Sequence, residues 1–562
     1  MQLHDLDLQG YLLKSLNFII TEIPTSIESK LLIAVMKLWT CVLVVCAAVC
    51  VACGQQPASD EDWLELDTPQ GPVRGRKDPE ADLYVFYNIP YATAPVKEDK
   101  FKPPLPPPVW KTPFDAIDKK VICPQVTLPF AAMPENLVTQ EDCLIANVYV
   151  PDTRKQNLTV LVYVHGGAFV VGYGEGLKLT NLLKGKDIVL VTFNYRVAIH
   201  GFLCLGTEDV PGNAGMKDQV ALLRWVQKNI ASYGGNPNDV ALVGSSAGSA
   251  SVDLLMLSKT TDGLFHRVVP ESGGNLAAFS IQSDPLEVAK SQAKKFNFTN
   301  VDDIYALEEL YKTAPWELLN SDSFFDRPDS TFRFSPCLER ETSDEAFLTE
   351  APLSILQKGS YKKLPLLYGF AQMEGLLRVH LYYEDWKHKM NERFSDFLPA
   401  DLKFNSDVEK EEVAEKIKKF FFGDKPIGDD NILSYVDYFS DVIFAYPMLR
   451  AVKLHVEAGH NEIYLYEDEK HASPELQIEY LYKSIIVIFL FNSKPVPEGS
   501  PLPAWPATGA AGAPYMSLDR TLELRDEPLL EKRTRFWQDI YQNYYREPIP
   551  PPAPTPRQRT EL

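Results

Sequence analysis

What most constrains the fold of this chain is a set of short runs that are apolar almost throughout. TVLVYV (159–164), IVLVTF (188–193) and VALV (240–243) show no alternation of apolar and polar residues. A strand with one wetted face alternates, whereas a strand covered on both faces does not. These three runs therefore read as strands buried on both sides. LPLLYG (364–369) and EIYLYE (462–467) read as further strands. Residues 216–231, MKDQVALLRWVQKNIA, and the stretch around 478–491 carry apolar residues at helical spacing instead. Strands alternating with helices imply an α/β fold, with a central, mostly parallel sheet flanked by helices.

VALV leads directly into Gly244-Ser245-Ser246-Ala247-Gly248, and a helical pattern follows. Taken alone, these five residues are either a tight turn built of small side chains or a G-x-S-x-G nucleophile turn. The second needs a strand before it and a helix after it, and both are predicted here. Its serine takes a strained backbone conformation, so the neighbours must be small. The helix N-terminus beneath favours negative charge. In VYVHGGAFVVGYG (162–174) a predicted strand ends on His165-Gly166-Gly167-Ala168. Glycines there let backbone N–H groups face a ligand with no side chain between. Gly166, Gly167 and Ala247 form a candidate oxyanion hole, each donor worth about 3 kcal/mol of barrier. Gly167 lies 79 residues before Ser246, and the pair of motifs favours Ser246 as a nucleophile.

The formal net charge of −20 repels phosphate backbones and argues against nucleic acid as a partner. Four of the eight cysteines lie in LLIAVMKLWTCVLVVCAAVCVAC (31–53), where only Lys37 is charged. From Met36 to Cys53 this reads as a signal peptide, with residues 1–35 as an upstream extension. A single-pass membrane anchor is the alternative, since the stretch can cross about 30 Å of hydrocarbon. The ending Arg559-Thr560-Glu561-Leu562 faintly resembles an ER-retention signal, which keeps the ER lumen open. Secretion is the first expectation, and all three readings put the main body outside the cytosol. In an oxidising compartment Cys123 and Cys143, flanking a polar loop, read as one disulfide. Cys204 and Cys337 read as free thiols. Asn157-Leu158-Thr159 and Asn297-Phe298-Thr299 are candidate glycosylation sites. Residues 54–62 read as a linker, 63–545 as a single domain and the Pro-rich 546–562 as a disordered tail.

The chain resembles the type B carboxylesterase/cholinesterase family of α/β-hydrolases, and most of all the insect carboxylesterases. The resemblance runs through EDCLIANVYVP (141–151), HGGAF (165–169), NYR (194–196) and the long segment 201–251. It continues in ESGG (271–274), LPLLYGFAQMEG (364–375) and FW (536–537), covering about residues 63–545. It implies the α/β-hydrolase fold and a serine esterase that works through an acyl-enzyme. A small-molecule ester is then the partner, with no metal and no organic cofactor. It also implies Glu374, in GFAQMEG (369–375), as the acid of a catalytic triad. A carboxylate just after a predicted strand is well placed to orient an imidazole. The order serine, acid, histidine suits this fold.

The histidine must follow Glu374 on a loop beyond a late strand. Of nine histidines only His471, in YEDEKHASPE, follows EIYLYE, and it is the candidate base. The family has a longer loop there, with a Gly-rich turn before its histidine, and this sequence has no such turn. Two readings stay open. Either His471 is the base, or the segment that carries the base is missing. A chain that had lost its triad histidine would be a non-catalytic, esterase-like binding or adhesion protein. The cholinesterase branch places a tryptophan in the loop corresponding to 123–143, to hold a quaternary ammonium. No tryptophan occurs in that loop here. The resemblance to the insect enzymes implies apolar carboxylic esters as substrates.

Overall fold

The computed structural model describes residues 63–554, apart from 79, 127–135, 154, 177–182, 184, 321–326, 341–343, 469–485, 498, 501, 510–512 and 520. The leader with its signal-or-anchor stretch, His471 and residues 555–562 lie outside the described residues. Among the described residues no helix is long and apolar enough to cross a membrane.

The strands in chain order are β1 (Trp63–Thr68), β2 (Gly71–Lys77), β3 (Leu83–Pro90), β4 (Phe114–Asp115), β5 (Val121–Ile122), β6 (Val138–Thr139), β7 (Ile145–Pro151) and β8 (Leu158–Val164). They continue with β9 (Ile188–Phe193), β10 (Gly235–Ser245), β11 (Arg267–Glu271), β12 (Leu366–Ala371), β13 (Ile463–Asp468), β14 (Tyr515–Leu518) and β15 (Leu522–Arg525). One large sheet runs β1-β2-β3-β7-β9-β8-β10-β11-β12-β13-β14-β15, with β4 beside β2, while β5 and β6 pair separately. Every neighbouring pair from β9 to β14 is parallel. Antiparallel pairs flank this parallel centre on both sides. The expected mostly parallel sheet is therefore present, with the five predicted strands as β8, β9, β10, β12 and β13.

Each central strand feeds two cores. Val160, Val162 and Val164 of β8 enter one buried cluster, and Leu161 and Tyr163 enter the other. Val240 and Leu242 of β10 join the first, Ala241 and Val243 the second. Successive side chains of a strand point to opposite faces. A sheet covered on both faces thus demands apolar residues at every position. Five helices matter below: α1 (Ala214–Asn229), α2 (Ala247–Leu257), α3 (Leu376–Glu392), α4 (Tyr446–Glu457) and α5 (Glu531–Tyr544). Every residue of α2 is buried. Its sequence is accordingly apolar or small at every position but Asp253, rather than amphipathic.

Three features go beyond the sequence-based reading, and the last two overturn it. Strand β11, RVVPE, sits centrally between β10 and β12 although it contains Pro270. The N–H groups of Val268 and Ser272 donate to Pro365 and Gly369 on the β12 side, at 3.0 and 2.8 Å. Pro270, midway, has no N–H to give, so the strand forgoes one ladder bond there. Second, Cys204 and Cys337 are not free thiols but form a disulfide across 133 residues of sequence, alongside the expected Cys123–Cys143 bond. Asn213 holds the distant strand of chain in place: its Nδ2 donates to the Cys337 carbonyl and its Oδ1 accepts the Cys337 N–H, both at 2.8 Å. Third, residues 546–554 are docked rather than disordered. Arg546 N donates to Asp401 O (2.6 Å), Ile549 N donates to Ser283 O (3.1 Å), and Pro551 is buried. Prolines have no N–H, so a Pro-rich segment can lie on a surface with few donors left to satisfy.

Candidate active site

Ser246 joins β10 to α2 with φ 59° and ψ −121°. An L side chain rarely adopts this conformation, and it persists only where the surroundings enforce it. Here Ser246 N donates to Glu271 O on the neighbouring strand (2.8 Å), and Ala250 N donates to Ser246 O (3.0 Å). The flanking glycines are a steric necessity. A Cβ on Gly244 would lie 2.2 Å from the Gly248 carbonyl oxygen. One on Gly248 would lie 2.1 Å from the Val164 oxygen.

The loop after β8 rests directly on this turn. A Cβ on Gly166 would stand 2.6 Å from the Ser245 oxygen and 3.2 Å from the Ser246 Cβ. Gly167, Ala168 and Phe169 all have positive φ, at 110°, 56° and 61°. The loop closes on itself through Val170 N and Val171 N, which donate to Gly167 O (2.9 and 3.0 Å). Among the described residues, none accepts a hydrogen bond from the N–H of Gly166, Gly167 or Ala247. Three backbone donors are thus left beside Ser246 for a ligand.

The residues that brace this loop come from distant elements. The His165 ring stacks on Tyr195, with centroids 4.2 Å apart. Its Nδ1 donates to Gly166 O (2.8 Å), and the Tyr195 hydroxyl donates to His165 O (2.9 Å). Burial lowers the His165 pKa to about 4, which keeps the ring neutral. Asn194 ties the same region to the disulfide loop: its Nδ2 donates to the carbonyls of Val121 and Cys143 (2.8 and 3.3 Å). Gln125, two residues past Cys123, exchanges both backbone hydrogen bonds of Gly172 (2.9 and 3.0 Å). Arg196 is buried with Asp218, its guanidinium donating at 2.8 and 2.6 Å. The NYR segment and the Cys123–Cys143 loop therefore both hold the glycine loop in shape.

Glu374 lies in the turn after β12. Its Oε1 accepts the Ala371 N–H (2.9 Å), and the Ser272 hydroxyl donates to its carboxylate. Burial pushes its pKa above the usual carboxylate range, while the Ser272 and Ala371 bonds pull it back. Gly375 must be glycine, because a Cβ there would lie 2.1 Å from the Val436 oxygen. Ser272 connects the two halves of the site. Its neighbour Glu271 accepts the Ser246 N–H, and its own N–H donates to Gly369 O of β12 (2.8 Å). Neither Ser272 nor the bracing role of Tyr195 and Gln125 was legible beforehand. ESGG and NYR stood out only as stretches matching a family.

His471 lies outside the described residues. Strand β13 ends at Asp468, paired with Ala371, and Asp468 O accepts the Gln372 N–H (2.9 Å). Strand β13 thus ends beside the Glu374 turn, and His471 follows three residues later in the sequence. Of the seven described histidines, none hydrogen-bonds to Ser246 or Glu374. His266 Nδ1 accepts Val240 N, and His380 and His388 are exposed on α3. His200 is buried among Phe101, Lys100 and Arg196, and burial lowers its pKa to about 3. His455 and His460 bond to Tyr361 and to the Leu364 carbonyl.

The Carboxylesterase family model matches residues 62–499. A carboxylic ester hydrolase of Bombus ignitus is 33% identical over 68% of this chain and 69% of its own length. Venom carboxylesterase-6 of Apis mellifera is 31% identical over 72% of this chain and 75% of its own. Among solved structures, the juvenile hormone esterase of Manduca sexta, with OTFP covalently attached, aligns with a TM-score of 0.75 at 26% identity. That alignment covers 85% of this chain and all of the other. The serine turn, the glycine loop beside it and these matches agree: the chain belongs to the carboxylesterase family and has the α/β-hydrolase fold.

Proposed function

We propose that this chain is a serine carboxylic ester hydrolase acting on apolar carboxylic esters. The observation that carries the reading is the strained Ser246 turn, with the unused N–H groups of Gly166, Gly167 and Ala247 beside it. Ser246 Oγ attacks the ester carbonyl, and the three N–H groups take the charge that develops on its oxygen. His471 accepts the serine proton and returns it to the leaving alcohol, with Glu374 orienting its ring. Water then attacks the acyl-enzyme by the same route, and the acid leaves. The insect esterases among its relatives support apolar esters as the substrate class.

The experiment is hydrolysis of a chromogenic short-chain ester by the purified chain, beside Ser246→Ala and His471→Ala. Turnover abolished by either change supports the triad. A second reading has a specific observation in its favour, since no described histidine bonds to Glu374. In that reading the chain binds esters without cleaving them. Equal rates in the wild type and Ser246→Ala, with the ester still bound, would establish it. We also propose that the protein is secreted and glycosylated. Two disulfides and the exposed positions of Asn157 and Asn297 support this. A glycosidase-sensitive mass on protein recovered from the medium is the expected result. Protein retained with membranes would favour the anchor instead.

A further inference from the structure

The described residues line a half-open cavity of about 540 Å³ between α1 and the extended segment 103–109. Ligand sites span about 300–1,000 Å³. None of its lining residues belongs to the Ser246, glycine-loop or Glu374 segments. One wall is the proline run 103–107, interrupted only by Leu105. Proline fixes φ and offers no N–H, so the wall is stiff and presents no backbone donor of its own apart from that of Leu105. It is also pinned: Leu105 exchanges backbone hydrogen bonds with Thr93 (2.9 and 3.0 Å), and Gln70 Nε2 donates to Pro108 O (3.0 Å). The opposite wall is α1, lined from Lys217 to Asn229, about 18 Å at the usual helical rise. The cavity is thus elongated, with Trp225 and Val220 as its apolar floor.

The rim carries two exposed basic side chains. Arg224 and Lys228 stand one helical turn apart and exposed, on a chain of net charge −20. Among the described residues neither has an ion-pair or hydrogen-bond partner for its side chain. Lys217 also lines the cavity, but Glu339 neutralises it at 2.6 Å. Glu345 is the one carboxylate in the lining. Asn229 is 1% exposed, and its Oδ1 has no partner among the described residues. A buried acceptor of this kind calls for a donor.

We propose that this cavity binds an alkyl carboxylate. The unbranched chain lies between the proline wall and Trp225, and the head group sits on Arg224 and Lys228. The site is separate from the ester-cleaving reading and does not depend on it.

Calorimetric titration of decanoate into the full chain tests this, with decanol as the uncharged control. Ala221→Trp, which fills the trough, abolishes the decanoate heat. Arg224→Ala with Lys228→Ala weakens decanoate about tenfold and leaves decanol unchanged, since two exposed charge contacts are lost. Both residues are exposed, so this double variant folds even where Ala221→Trp does not. Glu345→Gln tightens decanoate by about twofold to fivefold. Equal decanoate affinity in the wild type and the double variant overturns the proposal, because the binding would then lie elsewhere. So does an absence of decanoate binding, or a decanol affinity that falls in step with decanoate.

Discussion

Replacing Asp253 with asparagine reverses the rank of stabilities between acid and alkaline pH. Asp253 sits on α2 with no exposed surface. Its Oδ1 accepts the Tyr368 hydroxyl (2.6 Å) and its Oδ2 accepts Asn275 N (2.7 Å). Tyr368 also faces His455 Nε2 (3.3 Å), and His455 Nδ1 pairs with the Tyr361 hydroxyl (2.6 Å). Burial keeps His455 and His460 neutral, so neither supplies a balancing charge. Burial outweighs the two hydrogen bonds and raises the Asp253 pKa from 3.8 to about 7. The folded state therefore holds this proton more tightly than the unfolded state does. The corresponding stability is present below about pH 4 and is lost as pH rises to about 7. The full loss is about 4 kcal/mol at about 1.36 kcal/mol per pH unit. Asparagine cannot ionise, but it keeps only one acceptor oxygen for two donors. The donor left over costs about 1–3 kcal/mol. Asp253→Asn is thus expected to be less stable than the wild type near pH 4, by about 1–3 kcal/mol. Above pH 7.5 it is expected to be more stable by about the same margin. Urea unfolding followed by tryptophan fluorescence, extrapolated to water at both pH values, measures this. A difference of the same sign and size at both pH values would refute the reasoning.

Gly166→Ala drives a methyl group into the Ser245 oxygen and displaces an oxyanion donor. Ester turnover should fall about 10²–10³-fold, read as kcat on a chromogenic ester with far-UV circular dichroism unchanged. Ser272→Ala removes the bond that most lowers the Glu374 pKa, so that pKa rises further. The acid limb of the kcat/KM–pH profile should move to higher pH. Cys204→Ser with Cys337→Ser opens a loop of 133 residues and should cost about 2–5 kcal/mol, seen as a lower denaturation midpoint. Arg196→Met strands the buried Asp218 carboxylate and should cost about 3–5 kcal/mol in the same measurement.

The sequence by itself determined whatever rests on local geometry. The runs around Val160, Val189 and Val240 are apolar at every position because both faces of those strands are covered, and that pattern survives in one dimension. Gly244 is set by the clash its Cβ would make with the Gly248 carbonyl in the same turn, so that motif was legible in the sequence, whereas Gly248 and Gly375 clear the Val164 and Val436 oxygens, which only the fold brings there. Tertiary structure alone decided what depends on contacts far apart in the chain. Cys204 meets Cys337 where Asn213 and Lys217 hold the later segment, and no spacing rule carries a pairing across 133 residues. Pro270 argues against a strand locally, yet β11 holds its place through bonds to β12 on either side of it. The proline-rich end docks through carbonyls of Asp401 and Ser283, which nothing in its own composition reveals. Ser272 reaches Glu374, and Gln125 grips Gly172, through side chains whose partners the fold supplies. A turn's own sterics are written in its neighbours, whereas a partner brought by the fold is not.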